Sequence, residues 1–198
     1  MTIPANGFQC WHIPGADGGR PVKDQIGLAA IPGPSAEGLL MNGDHAPSPA
    51  GAHRCSWLRT GRLIIGAWPR GESHWQSLAG QGVRSVFSCC DPQEGPWQPP
   101  AGWQQARITL PDHRNPGAMD PAALDQAITT ALQLYRQAPA LYLHCWAGME
   151  RSPLVAVGLL CRAESLSIFD ALAQVRTLHP PSRPITRHLV MLEDLLGR

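Results

Sequence analysis

Apolar positions follow no regular period before about residue 56, and after it they form short runs and helical stripes. Ser56-Trp57-Leu58-Arg59, the turn Thr60-Gly61 and Leu63-Ile64-Ile65-Gly66 predict a β-hairpin. Ser73 to Ala79 predicts a short helix ended by Gly80 or Gly82, and Val83 to Ser88 an apolar strand. A Pro/Gly-rich loop is expected over residues 91–102, a strand from Trp103 to Thr109, and a polar loop from Leu110 to Asp120. Asp120-Pro121 opens a helix, with an N-cap followed by proline in the first turn. Ala122, Leu124, Ala127, Ile128, Ala131, Leu132 and Tyr135 then recur at helical spacing. Leu141-Tyr142-Leu143 is an apolar run of the kind buried in a parallel sheet. An apolar helix from Pro153 to Cys161 and amphipathic helices at about 167–178 and 186–196 complete the pattern. Strands alternating with helices give an α/β fold, a central, mostly parallel sheet with helices on both faces. Ligands of such sheets sit beyond the carboxyl ends of the strands.

Composition narrows the functions open to this fold. Of the 198 residues 43% are hydrophobic, enough for a real core. Residues 1–55 are expected to be an irregular, Gly/Pro-rich extension, as in Ile31-Pro32-Gly33-Pro34, and residues 56–198 the folded domain. The formal net charge is +1 and charged residues are 16%, so bulk charge supplies no attraction for nucleic acid or an acidic membrane. No apolar run reaches the roughly 20 residues of a membrane helix, and Met1 to Cys10 lacks a signal-peptide pattern. The expectation is a cytoplasmic protein with no nucleic-acid or membrane partner, whose six irregularly spaced cysteines are thiols.

The chemistry is concentrated in His144-Cys145-Trp146-Ala147-Gly148-Met149-Glu150-Arg151-Ser152-Pro153, between the buried run and the apolar helix. Five residues between Cys145 and Arg151 suffice to curl a loop around one tetrahedral anion, with successive N–H groups pointing inward. Gly148 can adopt angles closed to other residues. The following helix favours anions at its N-terminus, and Arg151 adds a planar fork for two phosphate oxygens. The same surroundings favour a nucleophilic thiolate at Cys145, to which Ser152 can donate a hydrogen bond. Attack on phosphorus would give a phosphocysteine that water then removes, with no cofactor and no metal required. Asp112, in Leu110-Pro111-Asp112-His113-Arg114, is the preferred proton donor to the leaving oxygen. Asp120, better explained as a helix cap, and Asp91 are its rivals.

His144-Cys145-x-x-Gly148-x-x-Arg151-Ser152 resembles the signature loop of the protein tyrosine and dual-specificity phosphatases, and the order of elements extends the resemblance over about residues 56–196. Pro111-Asp112 matches the family's mobile acid loop, with Leu110 in place of the usual tryptophan. The resemblance implies a tyrosine-phosphatase-like fold. It also implies Cys145 as nucleophile, Arg151 as phosphate binder, Asp112 as general acid and Ser152 as an aid to thiolate departure. His144, Trp146, Ala147, Gly148, Met149 and Glu150 would contribute to substrate binding. The absence of a segment like the tyrosine-recognition loop implies a shallow, dual-specificity-type pocket. The loop lacks the lysines common in lipid phosphatases, which favours phosphoprotein side chains over phosphoinositides. Val83 through Cys90 and the later helices look closest to the cyclin-dependent-kinase-associated phosphatase branch. Some relatives carry a cysteine at the position of Cys90 that captures the oxidised nucleophile, which makes Cys90 a redox candidate beside the simpler reading of a packed residue.

Other features read as structural. His144 is expected to orient the loop by hydrogen bonding, or merely to pack. Cys161 is expected in the core, the tryptophans Trp57, Trp68, Trp75, Trp97 and Trp103 to pack rather than to form a binding platform, and Trp146 at the pocket floor or rim. Cys10-Trp11-His12 and His53-Arg54-Cys55 offer four zinc-ligand types, but spacing by one residue is not usual for zinc, and tethering contacts or no role are preferred. Two other functions fit the same residues: a phosphate-reading binding module, and a sulfur-transfer or redox enzyme.

Overall fold

The computed structural model describes residues 55–114 and 117–197; the expectations for the extension, including Cys10, His12 and His53, lie outside the described residues. Strands β1 (Cys55–Arg59) and β2 (Leu63–Gly66) form the antiparallel hairpin. Helix α1 (Glu72–Gly80), strand β3 (Ser85–Ser88), strand β4 (Gln104–Arg107), helix α2 (Pro121–Gln137) and strand β5 (Leu141–His144) follow. Helices α3 (Arg151–Glu164), α4 (Ile168–Leu178) and α5 (Thr186–Leu196) complete the chain. The five strands lie in the order β1-β2-β5-β3-β4, and every pairing except that of β1 with β2 is parallel.

Both faces of the sheet are covered because its central strands are apolar on both sides. Leu63, Ile65, Phe87, Leu141 and Leu143 enter one hydrophobic cluster with residues of α2, α3, α4 and α5. Their alternates Ile64, Val86 and Tyr142 enter a second cluster with Trp75 and Leu78 of α1. Among the described residues the helical cover is therefore unequal, four helices against one. Pro121 opens α2 where its missing N–H is no loss, and the Asp120 carboxylate accepts from Ala122 N at 3.0 Å.

Two boundaries differ from the expectation in ways that matter to function. The loop at 91–102 contains a turn of 3-10 helix, Pro92–Glu94, closed by a capping box: Asp91 accepts from Gln93 N at 2.8 Å, and Glu94 Oε2 accepts from Asp91 N at 2.7 Å. Helix α3 starts at Arg151, two residues before the expected Pro153. Pro153 is tolerated there because the first-turn N–H groups have no acceptor within the helix. No described helix is long and apolar enough to cross a membrane.

Candidate active site

Strand β5 is the central strand; His144 is its last residue and Cys145 the first beyond the sheet. His144 is fully buried, with its ring stacked on Tyr142 (centroids 5.5 Å apart) and on Trp97 (5.7 Å), and edge-on to Trp68 (5.5 Å). Tyr142 shares its face because the two are separated by one residue of strand. Trp68 and Trp97 thus pack, as expected of tryptophans in this chain, but against the residue that precedes the candidate nucleophile.

Between β5 and α3 three backbone carbonyls are taken up by partners outside the loop. Trp146 O accepts from Trp68 N at 3.1 Å, Met149 O from Arg183 N at 2.6 Å, and Gly148 O lies 3.0 Å from His179 Nε2. A carbonyl can only accept, so Nε2 of the buried His179 donates to it, while Nδ1 lies 2.8 Å from the Ser56 hydroxyl. Among the described residues, none of the loop amides from Trp146 to Glu150 donates to a backbone carbonyl. That leaves a series of N–H donors uncommitted around one turn. Gly148 is required twice over. Its φ is +71°, and a Cβ there would lie 2.6 Å from the carbonyl carbon of Gly66 at the end of β2.

Cys145 is 2% exposed, and the Ser152 hydroxyl donates to its sulfur at 3.3 Å. Arg151 is 4% exposed and held from several sides. Its Nη1 and Nη2 meet Glu94 Oε2 and Oε1 at 2.7 and 2.8 Å, a bidentate pair. Nη1 also donates to the carbonyls of Cys89 (3.3 Å) and Leu110 (3.2 Å). Burial works against the guanidinium's charge, but the hydrogen bonds and charge of Glu94, with the neighbouring thiols, raise its pKa above the usual value. Burial alone would likewise raise the Glu94 carboxyl. Hydrogen bonds from Arg151, Asp91 N and Arg114 outweigh it and hold that pKa below normal. The buried Nε of Arg151 has no hydrogen-bond partner among the described residues.

Asp112 is 7% exposed, and Oδ2 lies 2.9 Å from Arg151 Nη2 and 2.6 Å from Arg114 Nη2. Oδ1 accepts from Arg114 N at 2.9 Å, so the 110–114 loop folds around the Asp112 carboxylate. The rival acids are occupied as caps, Asp120 for α2 and Asp91 for the 3-10 turn. Asp112, His113 and Arg114 share a hollow of about 160 Å³ with Cys145, Trp146, Ala147, Met149, Glu150 and Arg151. Trp146 is half-buried in its wall, with Arg70 and Arg114 5.8 and 5.5 Å from the ring.

Cys89 and Cys90 follow β3 and are both fully buried, in keeping with the simpler reading of Cys90 as a packed residue. They lie in one continuous cluster with Cys145 because the strand ends at Ser88 and alternation stops with it. Burial pushes both thiols up, against the pull of the nearby Arg151. Cys161 is buried in α3, as its apolar helix implied. Glu94 and His179 are the site residues that the sequence reading missed. The capping box in Asp91-Pro92-Gln93-Glu94 was a signal for the first, and nothing local announced the second.

No family model matches the sequence. Among solved structures, the fold is similar to Tk-PTP in its active form, with a TM-score of 0.62 at 21% identity over 73% of this chain and 97% of that one. PTPMT1 in complex with PI(5)P gives 0.63 at 19% identity, over 73% and 95%. Human DUSP28, as a single-site tyrosine-to-histidine variant, gives 0.60 at 24%, over 71% and 92%. These likenesses do not single out a branch; what they establish is an α/β fold of the dual-specificity and tyrosine phosphatase type, with its five-stranded, mostly parallel sheet.

Proposed function

We propose that the chain is a phosphomonoester hydrolase that works through a phosphocysteine at Cys145, acting on phosphorylated protein side chains. The observation that carries the reading is the convergence of Cys145 and Arg151 on one hollow of about 160 Å³, behind a loop with three carbonyls tied to partners outside it. The Cys145 thiolate attacks phosphorus, and the bond from phosphorus to the ester oxygen breaks. Arg151 and the loop amides hold the non-bridging oxygens, the unpartnered Arg151 Nε among the donors available to them. Asp112 gives its proton to the leaving oxygen and then takes one from the attacking water. The sulfur–phosphorus bond breaks, inorganic phosphate leaves, and the thiolate returns to its hydrogen bond with Ser152.

The ion pair of Asp112 with Arg151 has a place in this sequence. An arriving phosphate competes for Nη2 and, being a dianion, favours the protonated carboxyl beside it. Substrate binding thereby converts Asp112 from an ion-pair partner into an acid. The same pair is the one observation favouring a phosphate-reading module, in which Asp112 would stay on its arginines. Turnover of an aryl phosphate separates the two. Wild type should hydrolyse it and Cys145→Ser should not, whereas equal rates in both would refute the mechanism. Asp112→Asn should slow poor leaving groups about 10²-fold or more, and good ones far less; equal slowing would assign the proton to another group. The preference for phosphoprotein rests on a loop with Trp146, Ala147, Met149 and Glu150 where lysines would suit an inositol phosphate. The kinase-associated branch rests on sequence pattern alone.

A further inference from the structure

Glu150 stands immediately before Arg151, at the N-cap position of α3, where a carboxylate would ordinarily bond the first helical amides. It makes no such bond. Its side chain crosses to the acid loop, where Oε1 lies 2.5 Å from His113 Nδ1 and Oε2 accepts from His113 N at 3.2 Å. The next residue, Arg151, holds the preceding residue of that loop, Asp112, at 2.9 Å. Two consecutive residues of the signature loop thus grip two consecutive residues of the acid loop, one pair inside the hollow and one at its rim.

We propose that Glu150 is a positioning residue: by clasping His113 through both backbone and imidazole it keeps the acid loop docked while Asp112 exchanges its ion pair for the substrate. The need for a second grip follows from the mechanism. The proposed reaction loosens the contact between Asp112 and Arg151 when phosphate arrives, and a loop held only by that contact would be freed at the moment its proton is needed. The grip of Glu150 does not involve the arginine and survives the exchange. It also pairs a carboxylate that would otherwise face an anion hollow with a potential cation. The backbone bond matters most for position, because it fixes the peptide next to Asp112 rather than a long side chain.

The inference rests on the hydrolase reading for its kinetic part and on geometry alone for its structural part, and two measurements on the full chain separate them. In hydrogen exchange, Glu150→Ala should speed exchange in the segment 110–114 and leave the β5 segment as in wild type. In a leaving-group series of aryl phosphates, Glu150→Ala should slow the poorest ester at least about tenfold more than the best one, the signature of a displaced acid. His113→Ala should produce part of the same effect and add little to Glu150→Ala when combined. Glu150→Gln keeps an oxygen for His113 N–H and should lie between wild type and Glu150→Ala, a rescue that a general packing defect would not give. Unchanged exchange over 110–114, or equal slowing of every ester, would overturn the clasp while leaving the hydrolase reading intact. If wild type turned over no ester, the hydrolase reading would fall, and the exchange result would still decide whether Glu150 holds the loop.

Discussion

Gly148 shows how little freedom the loop between β5 and α3 has at single positions. Its φ of +71° is strained for any L-residue, and the end of β2 occupies the space a side chain would take. The cost of Gly148→Ala should therefore combine backbone strain with overpacking, about 2–4 kcal/mol in total. Moving the loop away from Gly66 would relieve it, and would also pull Gly148 O off His179. The expected outcome is a lower melting temperature together with a fall in kcat/KM of about tenfold or more; a folded variant with wild-type kinetics would show that the loop tolerates the shift. The candidate nucleophile, arginine and glycine were legible in the sequence because their relation is local, all within seven residues between a buried run and a helix. The partners that hold them were not. Glu94 lies 57 positions from Arg151, and Ser56 123 positions from His179, and only the fold brings them together.

The 3-10 turn Pro92–Glu94 is the element whose role differs most from its appearance in the chain. A Pro/Gly-rich stretch suggested a loop, yet the capping box aims Glu94 at Arg151 and Arg114 as well as at Asp91 N. Removing its charge in Glu94→Gln should cost about 2 kcal/mol, the size of a charged hydrogen bond, and should raise KM for phosphoesters as Arg151 loses its orientation. Because the folded-state pKa of Glu94 is lowered from 4.5, its stabilisation is complete above that value and is lost as pH falls through the folded pKa. The difference in melting temperature between wild type and Glu94→Gln should accordingly shrink below pH 4.5, whereas a constant difference down to strongly acid pH would remove the ionised carboxylate from the account. Strands and helices elsewhere could be read from the chain with small boundary errors, since their apolar periods are set by burial against the sheet. The early start of α3 could not, because its first two residues are the polar Arg151 and Ser152, which carry no apolar signal.

At the scale of the whole molecule, five of the seven ion pairs among the described residues gather beyond the carboxyl end of β5. Arg114 and Arg151 are matched there by Glu94 and Asp112, while Arg70 lies 5.8 Å from the ring of Trp146. This arrangement suits a substrate that brings its own negative charge and displaces part of the network, which is how the proposed hydrolysis begins. The covalent intermediate is where that account is most exposed. Wild-type protein should be mixed with an aryl phosphate, quenched in acid during turnover, and digested for mass spectrometry. The account predicts one added phosphoryl group on the peptide containing Cys145, and none in Cys145→Ser; steady hydrolysis with that peptide unmodified, or a phosphoryl group on another residue, would contradict it.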